Sequence, residues 1–521
     1  MAAPDYSPSI YSGSRRYILL VFAELQILCI CGVVFGWSAL EQTMIKEGIF
    51  SDLCEAGQKT CSRQELRLNL IYTLGTFTAT GSSLFSGALF DRYGPKLTNL
   101  CALVILSFGF LLWFLSSYLS EECYIVAFAI IGIGGPALQI SIMHIGNLFP
   151  KYSCSICASF SGMYVVSGFV FRVFGIISDK YNVQVGILFL GYIGVMAILV
   201  VPTIIMMHNT SYLPLDEYKA ALVRGRAPPD GTGISAINSD SNEESPLIPP
   251  ADMSSKPLDD QSVKFDPYAK VKNKPLLKQL ITWEFYLIVI YMSVISLHNT
   301  FYLGTINQLF DAKYVNIFNW AWEGGFIFVP LYSMLMYKCS LALNAAFVNA
   351  IGIVFGILCC IPNSTVNVIG FFFLSFQNVY LWGFHFVYLA QIFTYANFGT
   401  LLGIASVTVA LFGLFEYLLV YLSLNGVSFL YINGFLTILR VTLFILPIKM
   451  LVHCRRKRKK FKNLYKQDDF CCQDCYTHTM ATSTMTKCDS SVRNSDVLRE
   501  IQETYLLQQQ DIQQQQLHIQ Q

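Results

Sequence analysis

Charged residues are scarce in this sequence. Only 13% of its 521 residues are Asp, Glu, Lys or Arg, whereas 54% are hydrophobic, and the mean hydropathy is +0.49. A soluble domain typically has about 25% charged residues, so this deficit excludes an ordinary soluble globular protein. Apolar runs of about 20 residues, the length that crosses a bilayer core, instead predict an all-α polytopic membrane protein.

Residue patterns for enzymatic chemistry are also lacking. The sequence shows no metal-ligand cluster, no nucleophile paired with a base, no phosphate-binding loop and no nucleic-acid-binding module. We therefore expect no enzyme activity, no cofactor, no metal and no nucleic acid. The expected partners are the lipid bilayer and a small molecule, and we expect a monomer.

Twelve apolar runs predict twelve membrane spans, numbered here in chain order. The first run is too long for the apolar part of a signal peptide and is taken as span 1. In the first half the predicted spans are 17–40, 68–90, 98–119, 123–147, 153–177 and 184–207. In the second half they are 282–305, 316–336, 339–361, 367–392, 400–422 and 427–449.

The polar segments complete the predicted organisation. Most of the 35 Lys and Arg residues fall on one side when both termini are placed in the cytosol, as the positive-inside rule requires. The basic stretch 455–462 should lie against anionic lipids of the inner leaflet. The predicted parts are a cytosolic N-terminus (1–16), a six-helix bundle (17–207), a disordered cytosolic linker (208–281), a second six-helix bundle (282–449) and a basic, then glutamine-rich, cytosolic tail (450–521).

Two similar halves of six spans are typical of a transporter. Between spans 2 and 3 the sequence GALFDRYGPK resembles the major facilitator superfamily signature G-x-x-x-D-R-x-G-x-[RK]. This resemblance implies the major facilitator fold and an inner latch that holds the outward-open state. The matching residues are Gly87, Asp91, Arg92, Gly94 and Lys96.

Four further stretches resemble solute carrier family 43: VVFGWSAL at the end of span 1, DLC in the first outer loop, IGNLFP at the end of span 4 and FYLGTINQLF at the end of span 7. That family contains large neutral amino acid facilitators and the equilibrative nucleobase transporter, and the strings IGNLF and GTIN are nearer the nucleobase branch. The resemblance implies uniport. Glu24 occupies the position where the family carries a glutamate in its first span.

In the major facilitator fold, spans 1, 4, 7 and 10 surround the substrate cavity, and all four are unusually polar here. Aromatic faces with amide partners suit a flat, neutral, partly apolar ligand, which describes both a purine base and a large neutral amino acid. The alternative for each polar residue is a hydrogen bond to a neighbouring helix. The predicted substrate-binding residues are Glu24, Phe35, Gln139, His144, Asn299, Asn307, Asn378, Trp382 and His385.

Burying a charged side chain within a membrane span costs free energy unless the charge is paired or hydrated. Five occur: Glu24, Arg172, Glu323, Glu416 and Arg440. Spans 5 and 8 face each other in this fold, so we predict that Arg172 and Glu323 pair as part of an outer gate. The alternative is that they reach the membrane interface separately.

The outer loops and the linker carry further predictions. Cys54 and Cys61 share the first outer loop and are predicted to form a disulfide. The glycosylation sequon at Asn363 is predicted to lie on the outer side of the membrane. The linker sequence EESPLI (243–248) resembles an acidic dileucine sorting signal, which would direct the protein to endosomes or lysosomes. The first choice for the location of the protein is the plasma membrane.

The predicted function is facilitative transport of a purine nucleobase or a large neutral amino acid by alternating access. Two alternatives stay open. The first is proton-coupled transport of the same substrates through Glu24. The second is a membrane receptor or sensor that keeps the carrier fold without transporting, although the intact motif at 87–96 argues against it.

Overall fold

The structure is a computed structural model that describes residues 13–55, 58, 60–149, 152–212, 267–272, 274–393 and 398–459. All regular secondary structure in these residues is helical. The described chain divides into two compact units. The larger unit comprises the described residues up to 212 and those of 276–449, and the smaller comprises 267–272, 274–275 and 450–459.

The helices follow the predicted apolar runs. In the first half they are Arg15–Gln26, Trp37–Lys46, Ser62–Gly81, Ser83–Leu119, Cys123–Met143, Ser153–Val166, Phe169–Tyr181 and Val185–Met206. In the second half they are Leu276–Leu280, Trp283–Leu309, Ala312–Glu323, Val329–Lys338, Leu341–Cys359, Ser364–Ile392, Phe398–Gly413, Phe415–Leu424 and Phe429–Thr442. A short helix, Ala269–Lys272, belongs to the smaller unit.

Nine helices of the described chain are long and apolar enough to cross a membrane, or ten if the bent pair Arg15–Cys31 and Val33–Lys46 is one span. The expected all-α polytopic fold is confirmed, whereas the exact number of twelve spans stays a prediction. Two features explain the difference. Residues Ser62–Leu119 count once, although they contain predicted spans 2 and 3, and predicted span 8 is divided by the 3-10 segment Gly324–Phe328.

The turn between spans 2 and 3 needs glycine at Gly94. Its φ is +77°, in the left-handed region that side chains disfavour, and a Cβ there would overlap the carbonyl oxygen of Asn209. Pro95 follows and cannot continue the preceding helix. The stretch Ser83–Leu119 is therefore two helices joined by a kink at Gly94, inside the predicted signature motif.

Span 1 is broken at Gly32, three residues before Phe35. Its two helical parts are bent by 50° at Gly32. A Cβ at Gly32 would overlap the carbonyl oxygen of Tyr164, so only glycine lets the backbones of spans 1 and 5 approach this closely. The Gly32 amide donates to Ser167 Oγ at 2.6 Å. This contact fixes the bend that places Phe35 beside the cavity.

Two predicted segments fall mainly outside the described residues. The linker is described only at 208–212, 267–272 and 274–281, and the tail only at 450–459. The sorting sequence at 243–248 also lies outside them. The assignment of these segments to the cytosol stays a prediction.

Candidate functional site

Two adjoining cavities lie between the first-half and second-half helices. The larger encloses about 570 Å³ and the smaller about 320 Å³, each including its open mouth. Both are lined by Phe35 of span 1, Thr80 of span 2 and Trp382 of span 10. A single site shared by both halves is the arrangement that alternating access requires.

Aromatic rings form much of the cavity walls. The ring of Tyr164 lies edge-on to that of Phe35, with centroids 5.8 Å apart. Phe386 lines the larger cavity beside Trp382, and Trp322 lines the smaller one. Rings on several sides suit a planar or apolar ligand.

The polar lining consists of neutral amides and hydroxyls. Gln139 lines the larger cavity, and Asn299 and Asn378 line the smaller one, where Asn299 Nδ2 donates to Asn378 Oδ1 at 3.1 Å. Among the described residues that line either cavity, none is Asp, Glu, Lys or Arg. The site therefore offers hydrogen bonds without a side-chain counter-charge.

A model of the Major Facilitator Superfamily matches residues 62–415. The chain belongs to this superfamily. The match covers the signature turn at 87–96 and most of the cavity-lining helices. Their shared cavity is consequently the candidate substrate site of a Major Facilitator Superfamily transporter.

Three relatives extend the comparison. "Protein FMP42" of Saccharomyces cerevisiae is 23% identical over 450 residues, covering 78% of this chain and 88% of the relative. "Equilibrative nucleobase transporter 1" of Bos taurus is 23% identical over 499 residues, covering 85% and 97%. "Large neutral amino acids transporter small subunit 3" of Mus musculus is 28% identical over 180 residues, covering 32% of each chain. These names confirm the resemblance to the nucleobase and large neutral amino acid carriers.

The structure brings five of the nine predicted substrate-binding residues to this superfamily cavity: Phe35, Gln139, Asn299, Asn378 and Trp382. The other four lie elsewhere. Glu24 accepts a 2.6 Å hydrogen bond from Ser159, and His144 stacks on Tyr212 with centroids 5.2 Å apart.

The remaining two predicted residues, Asn307 and His385, contact other parts of the protein instead of the cavities. Asn307 Nδ2 donates to Glu41 Oε2 at 2.6 Å and to the Ser38 carbonyl at 2.9 Å, so it joins span 7 to the outer end of span 1. His385 is buried on span 10, with its ring centroid 6.4 Å from that of Trp382. Neither lines either cavity in the described chain.

Sequence reasoning missed the contributions of spans 2, 5, 8 and 11, and Trp322 supplies that of span 8. A stripe on span 2 lines the cavities through Thr76, Thr80 and Ser83, and Tyr164 and Ser406 contribute from spans 5 and 11. The spacing of the span 2 hydroxyls, three and four residues apart, places them on one helix face. That periodicity was the available signal.

On the predicted outer side, Arg172 of span 5 lies against Glu323 of span 8. Arg172 Nη1 is 3.7 Å from Glu323 Oε2, and both side chains are at least nine-tenths buried. The guanidinium carbon also lies 4.1 Å from the centroid of the Trp320 ring, a cation–π distance. The two residues predicted to form an outer gate are therefore adjacent.

A second polar cluster joins spans 2 and 11. Glu416 is buried, and its carboxylate accepts hydrogen bonds from Asn69 Nδ2 at 3.0 Å and from Thr73 Oγ1 at 2.6 Å. Hydrogen bonds to the carboxylate offset part of its desolvation cost. This cluster connects the two halves beside Tyr72, which lines the smaller cavity.

The signature motif contacts the second half through span 11. Asp91 Oδ2 lies 3.5 Å from the position that a Cβ of Gly399 would occupy, in the first turn of the helix Phe398–Gly413. The N-terminal end of a helix attracts negative charge. Gly87 approaches the same turn, since its own Cβ would lie 3.8 Å from the Gly399 carbonyl oxygen.

The other two polar motif residues, Arg92 and Lys96, belong to the turn between spans 2 and 3. Arg92 is exposed and lies over the ring of Tyr93 at 5.4 Å, and Lys96 is half-buried. For Arg92, the part of the chain that the structure describes offers no ion pair.

The predicted first outer loop is held by a disulfide between Cys54 and Cys61. Beside it, Gln64 Nε2 donates to the Ile49 carbonyl at 2.8 Å, and the Phe50 amide donates to Glu121 Oε2 at 2.7 Å. Burial raises the pKa of Glu121, and the hydrogen bond from Phe50 acts in the opposite direction. The Gln64 contact joins the loop to the helix Ser62–Gly81, and the Glu121 contact joins it to the segment between spans 3 and 4.

Proposed function

We propose that the chain is a facilitative transporter of a small neutral organic solute, a purine nucleobase or a large neutral amino acid, that works by alternating access. The observation that carries the proposal is the cavity shared by both halves, with aromatic walls, amides and hydroxyls. Its lining includes no charged side chain among the described residues. A ligand with a net charge would lose its hydration there without gaining a side-chain counter-charge.

Between the two substrate classes, a nucleobase is the first choice. The relative named as a nucleobase transporter is similar over 97% of its length, whereas the relative named for large neutral amino acids is similar over 32%. A purine is flat on both faces and suits a cavity lined by rings such as those of Phe35 and Trp382. An amino acid additionally requires partners for a carboxylate and an ammonium group.

Uptake by purified protein in lipid vesicles tests the proposal. Labelled adenine, leucine and arginine are supplied with and without a pH gradient. We expect saturable uptake of adenine or leucine, no uptake of arginine, and equal initial rates with and without the gradient. Exchange should also run in both directions, because a uniporter follows the concentration difference.

Trp382→Ala should reduce this uptake at least tenfold, because it removes a ring from both cavities. Phe372→Ala is the matched control on the same helix, since Phe372 is exposed on the outside of the bundle. Surface amount is measured for both variants. Equal activity of the two variants at equal amount would contradict the assignment of the site.

Proton coupling through Glu24 is the second candidate mechanism. Glu24 Oε1 accepts from Ser159, while Oε2 is buried without a hydrogen-bond partner in the structure. If a proton moves with the substrate, an inward pH gradient accelerates uptake and Glu24→Gln abolishes that acceleration. Uptake that is independent of the gradient in the wild type excludes this mechanism.

We place the protein in the plasma membrane, with both termini and the 208–281 linker in the cytosol. The alternative is an endosomal or lysosomal membrane, which would depend on the sequence EESPLI. Replacing Leu247 and Ile248 by alanine tests the alternative by surface labelling. A large rise in the surface fraction would overturn the plasma-membrane assignment, and an unchanged high surface fraction supports it.

A further inference from the structure

Arg440 of span 12 is a fully buried cation close to the candidate site. Within the described residues it has no carboxylate at ion-pair distance. Its Nη2 donates to Asn299 Oδ1 at 2.6 Å and to the Ile295 carbonyl at 3.3 Å, and Nη1 donates to Gln377 Oε1 at 3.5 Å. A buried charge served only by neutral acceptors requires an explanation.

The chemistry of arginine fixes the orientation of the next two side chains. A guanidinium has only hydrogen-bond donors, so Asn299 must turn its oxygen towards Arg440. Its Nδ2 then faces Asn378 and donates to Asn378 Oδ1 at 3.1 Å. Asn378 is left with its Nδ2 group, for which the structure offers no acceptor.

This unpartnered amide belongs to the site, because both Asn299 and Asn378 line the smaller cavity. Asn378 is only 5% exposed, so water has little access to it. Buried donors are normally satisfied, and an exception at a binding site indicates a missing partner. A ligand with a hydrogen-bond acceptor would supply that partner.

We propose that Arg440 is a positioning residue that holds Asn378 as a donor to an acceptor atom of the ligand. The relay Arg440–Asn299–Asn378 thereby makes the transporter select ligands with an acceptor on the edge facing span 10. A ring nitrogen or carbonyl of a nucleobase meets this requirement, and so does an amino acid carboxylate. The inference rests on the proposed function and specifies the ligand chemistry of the same site.

Ligands that differ by one acceptor test the relay. In vesicles, unlabelled purines compete with labelled adenine, and each is compared with a deaza analogue in which one ring nitrogen is replaced by C–H. Leucine is compared in the same way with isoamylamine, in which hydrogen replaces the carboxylate. We expect the wild type to bind one of these altered ligands about tenfold more weakly, a difference of about 1.4 kcal/mol.

Asn378→Asp is the decisive variant. Aspartate has nearly the same shape and can still accept from Asn299, but it has no donor for the ligand. We expect the tenfold preference to disappear or reverse, as in a double-mutant cycle in which the variant and the altered ligand lack the same hydrogen bond. Asn367→Asp is the matched control, since Asn367 is a buried asparagine of the same helix that does not line either cavity.

Variants of Arg440 test its positioning role. Arg440→Lys keeps a donor for Asn299 and should retain most of the preference. Arg440→Met frees Asn299 to turn, so the preference should fall below threefold although Asn378 is intact. The ratio between paired ligands is the measure, because a merely structural defect lowers uptake of both equally; if Arg440→Met does not fold, Asn378→Asp decides.

Three outcomes separate the hypotheses. Loss of the preference in Asn378→Asp but not in Asn367→Asp supports the relay. Undiminished preference in Asn378→Asp, or a wild type that transports but ignores every acceptor change, overturns the relay and leaves the proposed function standing. A wild type that neither transports nor binds any nucleobase or amino acid overturns the proposed function, and the relay with it.

Discussion

At the scale of single residues, the Arg172–Glu323 pair offers a direct test of an outer gate. The two side chains are buried and 3.7 Å apart. Reversing one charge therefore places two like charges next to each other, where little solvent screens their repulsion. We expect Arg172→Glu and Glu323→Arg each to lose transport. The double swap should restore uptake at least tenfold over either single variant, since coupled residues in contact interact by about 0.5–3 kcal/mol.

The matched control is the Lys46–Asp179 pair, at 2.8 Å but more than half exposed on both sides. Solvent screens such a pair, so reversing either charge should change uptake little. Uptake is normalised to the amount of protein at the surface. A swapped Arg172–Glu323 double variant that reaches the surface and remains inactive would argue against the gate.

The candidate site was partly predictable from residues, for a physical reason. Amides within apolar helices are uncommon, so Asn299 and Asn378 were conspicuous, whereas aromatic residues make up 14% of the sequence. The structure places both amides at the cavities, together with Phe35 and Trp382. Hydroxyls were not conspicuous, because a threonine in a helix can bond its own backbone. Thr76 does so while lining the cavity, its Oγ1 donating to the Tyr72 carbonyl at 3.0 Å.

At the scale of elements, the break in span 1 gives a second prediction. Gly32→Ala introduces a Cβ against the carbonyl oxygen of Tyr164, and backbone cannot move aside as a side chain can. Overpacking of this kind costs about 1–3 kcal/mol. We expect a lower melting temperature of the purified protein and reduced uptake, because Phe35 follows directly after the bend.

Gly194→Ala is the control for this change. Gly194 lies in the span 6 helix with no atom near its missing Cβ, and alanine favours a helix over glycine. Its melting temperature should be unchanged or slightly higher. Equal melting temperatures and uptake for Gly32→Ala and the wild type would show that the close contact of spans 1 and 5 is not required.

Hydrophobic runs predicted the helices, but the sequence did not predict where the helices are interrupted. Span 1 is broken near Gly32, whereas the helix Cys123–Met143 is continuous through Gly132, Gly134 and Gly135. There the glycines serve packing: a Cβ at Gly135 would overlap the Cys31 carbonyl oxygen. Glycine permits both a break and a close approach, so sequence alone does not distinguish them.

At the scale of the whole molecule, contacts between the halves occur towards both ends of the bundle. Arg172–Glu323 and Asn307–Glu41 join them on the predicted outer side, and Asp91 lies at the first turn of span 11 on the predicted inner side. Such pairings between residues far apart in sequence could be predicted only where the fold family places two spans opposite each other. The link from Asn69 and Thr73 to Glu416 had no such signal.

A second half of six spans requires an even number of crossings between the linker and the tail, which epitope tags can test. The linker and the residues after 449 are rich in Lys and Arg, which favours the cytosolic side for both. Tags inserted at residue 240 and at the C-terminus should be labelled only after the cells are permeabilised. A tag at residue 57, between Cys54 and Cys61 in the first outer loop, is the control and should be labelled on intact cells. Tags at 240 and at the C-terminus on opposite sides would require an odd number of crossings in the second half, and two six-span halves enclosing one cavity would then be wrong.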